Sequence, residues 1–217
     1  EDAGVIFTIS FPERFYPIFK LAKSLIDIDA FGKISTIRIR KAHSGVSGKW
    51  LPDYWFEEKD AAGGAMMDLG SHPMYELAYL GGKRKRGTGM FNAPLGSKLD
   101  ENAVSIMEFE NGIIGISETG FMSGASPEIF EIYGTDGTLI RHGDDVKLYS
   151  TKLAPFTKEW IRPTLPAGGP LPLLQFVDAC INKTGAPALC TIDDAIDLTR
   201  LLENAYIGDR TNTIVTF

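Results

Sequence analysis

Between residues 103 and 149 five short apolar stretches follow one another, each bounded by turn signals, and this run constrains the fold more than any other feature. Residues 103–109, 113–119, 128–133, 138–140 and 146–149 read as strands. Asn111-Gly112, Asp136-Gly137 and Gly143-Asp144 punctuate them, and an Asn-Gly pair between apolar strands is a strong hairpin signal. Helical patterns lie outside this block. Runs of antiparallel strands with helices segregated around them predict an α+β domain, a large, predominantly antiparallel (mixed) open sheet with helices on one face. The other face of such a sheet has to be polar or covered by a partner. In the first hairpin one alternation holds Val104 and Ile106 and the other Met107 and Phe109, so both faces carry apolar side chains.

The flanking elements follow from local signals. Residues 5–10 form a strand-like apolar run. Pro17 suits a first helical position; Ile18, Ala22 and Leu25 then recur at helical spacing, and Gly32 follows as a stop. Ile34, Ile37 and Ile39 mark a strand with Arg38 and Arg40 on its other side. A loop rich in Gly, Trp and Asp covers residues 44–60. The stretch 63–80 has helical periodicity, with a kink expected near Pro73. A further helix is expected over 173–183, with Phe176, Val177, Cys180 and Ile181 inward. Another runs from an N-cap at Thr191, with Asp194 three residues on, to about Tyr206.

Composition narrows the functional classes. With 44% hydrophobic and 23% charged residues in 217, the chain is ordinary for a globular protein, neither disordered nor a disulfide miniprotein. Its net charge of −6 argues against phosphate-backbone binding. The basic run Lys83-Arg84-Lys85-Arg86 lacks interleaved aromatics and reads as a solvated strand edge or turn. No apolar run reaches the ~18–20 residues of a membrane span, and no signal peptide opens the chain. Cys180 and Cys190 have no second pair with which to build a zinc site, and reduced thiols fit them best. The expectation is a soluble, cytoplasmic protein that binds neither nucleic acid nor membrane.

The most informative segment is Gly63-Gly64-Ala65-Met66-Met67-Asp68-Leu69-Gly70-Ser71-His72. On a helix, Asp68 and His72 at i and i+4 are neighbours, and Asp68, His72, Tyr75 and Tyr79 fall within roughly 60° of one another. A carboxylate beside an imidazole orients the ring, fixes its tautomer and stabilises the imidazolium, which is how a general base is built. The same spacing also suits an ordinary surface Asp–His pair. His43 and His142 are the other histidines, too few for a convincing metal site. No G-x-S-x-G, G-x-G-x-x-G or phosphate-binding loop occurs.

Gly63-Gly64-Ala65-x-x-Asp68-x-Gly70-x-His72, with Trp55 eight residues before the first glycine, resembles the signature of the Gfo/Idh/MocA oxidoreductases. Arg14-Phe15-x-Pro17, Phe31-Gly32-Lys33-Ile34, Phe109-Glu110-Asn111-Gly112, Ile132-Tyr133-Gly134-Thr135-Asp136-Gly137 and Phe176-Val177-Asp178-Ala179 fall in the order of that family. The resemblance implies a C-terminal domain like that of glyceraldehyde-3-phosphate dehydrogenase, taken from a two-domain NAD- or NADP-dependent oxidoreductase. Residues 1–10 would then be the connection from a Rossmann domain absent from this sequence, which lacks an initiator Met, and residues 11–217 the substrate-binding and oligomerisation domain. By the same resemblance Asp68 and His72 are the catalytic pair, and Arg14, Trp55 and Tyr75 are substrate-binding candidates. The substrate would be a small sugar, polyol or related carbonyl compound. Members pair through this sheet, which implies a homodimer or homotetramer. Arg14 equally suits an ion pair with an acid at a helix start, and Trp55 and Tyr75 suit plain packing. The chain departs from the common pattern at Tyr75, where many members have Asp, and at Phe56, where many have Arg. A non-catalytic binding or assembly module keeping the fold is the alternative.

Overall fold

The computed structural model describes residues 4–57, 59–156 and 158–217. Residues 1–3 of the expected connection and the Phe56 side chain lie outside what is described. The strands are β1 (Ile34–Ala42), β2 (Arg84–Asn92), β3 (Asn102–Phe109), β4 (Ile114–Gly120), β5 (Ile129–Gly134), β6 (Gly137–His142), β7 (Asp145–Ser150) and β8 (Val215–Thr216). They form one eight-stranded sheet in the order β7-β6-β5-β1-β4-β3-β2-β8. β1 and β4 are parallel and every other neighbouring pair is antiparallel, so the sheet is mixed.

Register separates the two faces. Gly87, Met107, Gly115, Ile37, Ile132, Leu139 and Leu148 stand opposite one another across seven strands, and the large side chains among them are buried. One residue along, Thr88, Ile106, Ile116, Arg38, Glu131, Ile140 and Lys147 form the opposite row. The period of two produces this division, since successive side chains leave opposite sides of the pleat. Across the outer face Arg38 binds Glu118 at 2.7 Å and Glu131 at 3.1 Å.

Helices α1 (Pro17–Asp27), α2 (Ser71–Gly81) and α4 (Ile192–Thr211) pack on the inner row, and α3 (Pro172–Asn182) lies farther out. Phe19 of α1 meets Phe130 at 4.8 Å between ring centres, and Met74, Leu77 and Leu80 of α2 join the same core. The β3–β4 turn is closed by Gly112, whose φ of +89° suits glycine. Asn111 ties that turn to the end of α2 by donating to the Gly81 carbonyl at 2.9 Å.

Three local expectations change. Residues 5–10 form no strand; Ile9 N–H donates to the Cys190 carbonyl at 3.1 Å outside the sheet. The helix expected from Gly63 starts at Ser71, because the hydrogen-bond ladder is irregular before it. Gly70 N–H donates to the Ala65 carbonyl five residues back and His72 N–H to the Leu69 carbonyl three back. Asp100 holds the segment from outside. Its side chain accepts from Gly64 N–H at 2.9 Å and Met66 N–H at 2.7 Å, and its carbonyl accepts from Ala65 N–H at 2.7 Å. Pro73 therefore falls in the first turn of α2, where a missing N–H is tolerated, and no kink is needed. In α3 the inward residues are Pro172 and Ala179, while Cys180 is exposed and Ile181 is 73% exposed. The helix is rolled so that its larger apolar stripe faces outward. No helix among the described residues is long and apolar enough to cross a membrane.

Candidate active site

The inner-face alternation of β1 continues past Ile37 and Ile39 to Lys41, which places an ammonium group where the pattern calls for an apolar side chain. A lysine so largely withdrawn from water needs a counter-charge. It is supplied by Glu13, in the 3-10 turn Pro12–Phe15, and by Glu128 at 3.2 Å. The Glu13 side chain is 3% exposed, and its Oε1 meets both the Lys41 ammonium and His72 Nδ1, the latter at 2.9 Å. Burial opposes the charge on Glu13. The hydrogen bond with His72 and the charge and hydrogen bond of Lys41 outweigh it, and the carboxyl stays below its usual range.

His72 is the second residue of α2, with its side chain 34% exposed. Tyr75, one turn on, places its hydroxyl 3.0 Å from the same Nδ1. Its ring is buried and stacked on Phe11 at 4.3 Å. Burial also drives the Tyr75 phenol upward in pKa. Beside it Glu76 is fully buried, with neither carboxyl oxygen hydrogen-bonded. Burial first, and then the nearby charge of Glu13, push the Glu76 pKa well above its ordinary value of 4.5, so of the two carboxyls Glu13 is the one that ionises more readily.

The expected Asp68–His72 hydrogen bond is not formed. Asp68 lies in the turn ahead of α2, where the backbone is not a regular helix, and accepts instead from Trp55 Nε1 at 3.3 Å. The carboxylate in contact with His72 is Glu13, 59 positions upstream, a contact that no local spacing reveals. Trp55 and Asp68 share with Tyr54, Gly63 and Met67 the wall of a cavity of about 320 Å³. His43 lies at the end of β1 and stacks on Phe121 at 5.0 Å; its Nδ1 accepts from Gly45 N–H at 3.0 Å. Burial lowers the His43 pKa, and Asp68 opposes that from close by.

Arg14 has its guanidinium committed within the chain. It donates to Asp194 at 2.7 Å and to the Leu189 carbonyl at 2.6 Å, and it lies 4.7 Å over the Phe11 ring. Of the two readings open for Arg14, the ion pair with an acid at a helix start is the contact present. The structure thus joins His72, Tyr75 and Glu13 in one cluster, keeps Asp68 with Trp55, and sets Arg14 behind them. Glu13 and Lys41 are the members that sequence reasoning missed, and the inward position of Lys41 was the available signal.

The family model described as GFO/IDH/MocA C-terminal domain matches residues 19–140. No curated protein matches the sequence. Among solved structures, a Thermotoga maritima protein described as an oxidoreductase is 21% identical with a TM-score of 0.83, covering 98% of this chain and 64% of its own. An NAD-binding oxidoreductase from Klebsiella pneumoniae is 17% identical with a TM-score of 0.84, covering 99% and 67%. A levoglucosan dehydrogenase in complex with NADH and levoglucosan is 20% identical with a TM-score of 0.81, over 99% and 67%. At these identities the likeness is one of fold. The chain spans less than two thirds of the length of the Thermotoga protein.

Proposed function

This chain belongs to the GFO/IDH/MocA C-terminal domain family, and from that premise we propose that it is the substrate side of an NAD(P)-dependent oxidoreductase acting on a hydroxyl or carbonyl group. His72 is the proposed acid/base. The observation that carries the reading is the contact of its Nδ1 with the buried Glu13 carboxylate, on a ring otherwise one-third open. A neutral imidazole with one nitrogen engaged offers the other to a substrate hydroxyl, and the buried carboxylate steadies the cation formed when the proton arrives. Asp68, exposed beside the Trp55 cavity, accepts a hydrogen bond from a second substrate hydroxyl. Trp55 supplies an apolar wall for a sugar- or polyol-like ring. The levoglucosan complex of a protein with this fold supports that substrate class.

The residues here do not fit the dinucleotide itself. Among those described, no strand passes through a tight glycine-rich turn into a helix N-terminus, the element that cradles a pyrophosphate. In this proposal the nicotinamide, which exchanges hydride with the substrate carbon, is held by chain beyond these residues. Isolated, the 217-residue chain is then inactive and shows no micromolar affinity for NAD or NADP by calorimetric titration.

The test is His72→Ala in a polypeptide that carries this domain together with a dinucleotide-binding domain. Loss of an acid/base lowers kcat by about 10²–10⁴, with Asp68→Asn costing less. Near-normal turnover by a folded His72→Ala enzyme would remove His72 from the reaction and favour a binding or assembly role.

A further inference from the structure

We infer that Glu13 is a positioning residue that fixes the tautomer of His72, holding the ring proton on Nδ1 and leaving Nε2 as the open acceptor. The inference rests on the assignment of His72 as the base and adds how the base is prepared. Two groups compete for Nδ1. Glu13 Oε1 lies at 2.9 Å and the Tyr75 hydroxyl at 3.0 Å. A carboxylate only accepts hydrogen bonds, whereas a phenol can donate or accept. Were Nδ1 unprotonated, its lone pair would face a carboxylate oxygen at hydrogen-bond distance with no proton between them. With the proton on Nδ1, the carboxylate faces a donor rather than a lone pair, and the phenol oxygen can accept the same proton.

Glu13 has little freedom to turn away. Its side chain is 3% exposed, and Lys41 binds the same Oε1 that faces His72, while Oε2 has no partner. The turn that carries it is anchored through its next residue, Arg14, to Asp194 at 2.7 Å. Asp68 makes no hydrogen bond to His72 in this arrangement; its contact is with the Trp55 indole. The two acidic duties are therefore divided: Glu13 orients the base from the buried side, and Asp68 is left for the substrate.

The tautomer is read directly, without turnover, from two-bond nitrogen–proton correlation spectra of this chain labelled at histidine, recorded at alkaline pH. There are three histidines, and His72→Gln assigns the signal. The expected result is a protonated Nδ1 and a bare Nε2. In Glu13→Met the acceptor is gone, Tyr75 becomes the donor to Nδ1, and the proton moves to Nε2. Lys41 keeps Glu128 at 3.2 Å in that variant, so its charge is not stranded. Glu13→Gln rescues the native pattern, because the amide oxygen can stand in for Oε1 and the NH2 takes the place of the unpartnered Oε2. Tyr75→Phe leaves the proton on Nδ1. Unshifted His43 and His142 signals report an intact fold.

A native His72 protonated on Nε2, or a folded Glu13→Met protein with an unchanged tautomer, overturns the inference. Should the Met variant fail to fold, the native, Gln and Tyr75→Phe spectra decide alone. An Nδ1-protonated His72 together with a fully active His72→Ala enzyme would leave the tautomer assignment standing while removing the base.

Discussion

Arg14 and Asp194 meet at 2.7 Å across 180 positions of sequence. Asp194 is the third residue of α4, and its other oxygen accepts from the Thr191 amide at 2.9 Å and the Thr191 hydroxyl at 2.8 Å. One carboxylate therefore caps a 20-residue helix and anchors the turn that delivers Glu13 to His72. A capping box is a local device, but here it also sets the geometry of the candidate active site.

Breaking that pair is expected to destabilise the whole domain. The Arg14 side chain is 4% exposed, so Asp194→Asn leaves a buried cation with neutral acceptors and no counter-charge. Removing one member of a buried pair costs about 3–5 kcal/mol, with Asp194, at 25% exposed, placing this case at the low end. Burial works against ionised Asp194, yet its bonds to Arg14 and Thr191 hold its pKa below the ordinary 3.8. Its contribution is therefore complete above that value and is lost as pH falls through the folded pKa. Urea midpoints at neutral pH and near pH 3 (about the lower limit for Asp) check both statements. Equal acid sensitivity in wild type and Asp194→Asn would refute the second.

Glu76 has the opposite sign. Its folded pKa is raised, so the folded state keeps a proton that the unfolded chain releases above about 4.5. Stability due to this group is present below that pH and declines as pH rises toward the folded value, by at most about 1.4 kcal/mol per pH unit for one proton. Glu76→Gln keeps the shape and removes the titration. The variant should be more stable than wild type at neutral pH, with a gain that grows from pH 5 to pH 7 (roughly the window of one raised carboxyl). A gain independent of pH would mean that Glu76 is ionised in the fold.

The turn before α2 should tolerate no side chain at Gly64. A Cβ there would sit 2.0 Å from the Asp100 carbonyl, a backbone atom that cannot swing aside. Overpacking of this kind costs about 1–3 kcal/mol and would free the amides that Asp100 holds. Gly124→Ala is the control, since nothing lies within 4 Å of its added carbon. The expected result is a lowered melting temperature for Gly64→Ala alone, with the His72 ring signals displaced in the same variant.

What could be read from the sequence and what could not divide along physical lines. The alternation of residues 103–109, the Asn111-Gly112 turn and the Thr191–Asp194 cap are short-range signals, and each element stands where it was expected. The start of α2 differs from the periodicity because residues 64–70 form an irregular turn, with Gly70 N–H reaching the Ala65 carbonyl five back. Asp100, 34 to 36 positions downstream, holds the amides of residues 64–66. Glu13 was missed for the same reason: its partners Lys41 and His72 lie 28 and 59 positions away, and nothing in Pro12-Glu13-Arg14 announces them. α3 shows the limit of periodicity. Phe176, Val177, Cys180 and Ile181 form an apolar stripe, but a stripe does not say what it faces, and against expectation Val177, Cys180 and Ile181 are exposed.

The outer face of the sheet is expected to pair with a second copy of the chain. Ile106 is 45% exposed and Met90 77%, and Ile116 and Ile140 share their face. Between them runs the ionic row Arg40–Glu118–Arg38–Glu131. An isologous dimer needs a surface that complements itself under a two-fold rotation, and a face carrying cations, anions and apolar patches offers both the charges and the apolar area for one. A stable one buries more than about 1,000 Å², an area that a face of this many strands can supply. Light scattering at micromolar concentration should give at least twice 23.8 kDa. Ile106→Lys, which places a charge in the apolar part of that face, should shift the protein toward monomer without lowering its helix content. A wild-type monomer at that concentration would show that this face is solvated after all, with its ion pairs sufficing to keep it in water.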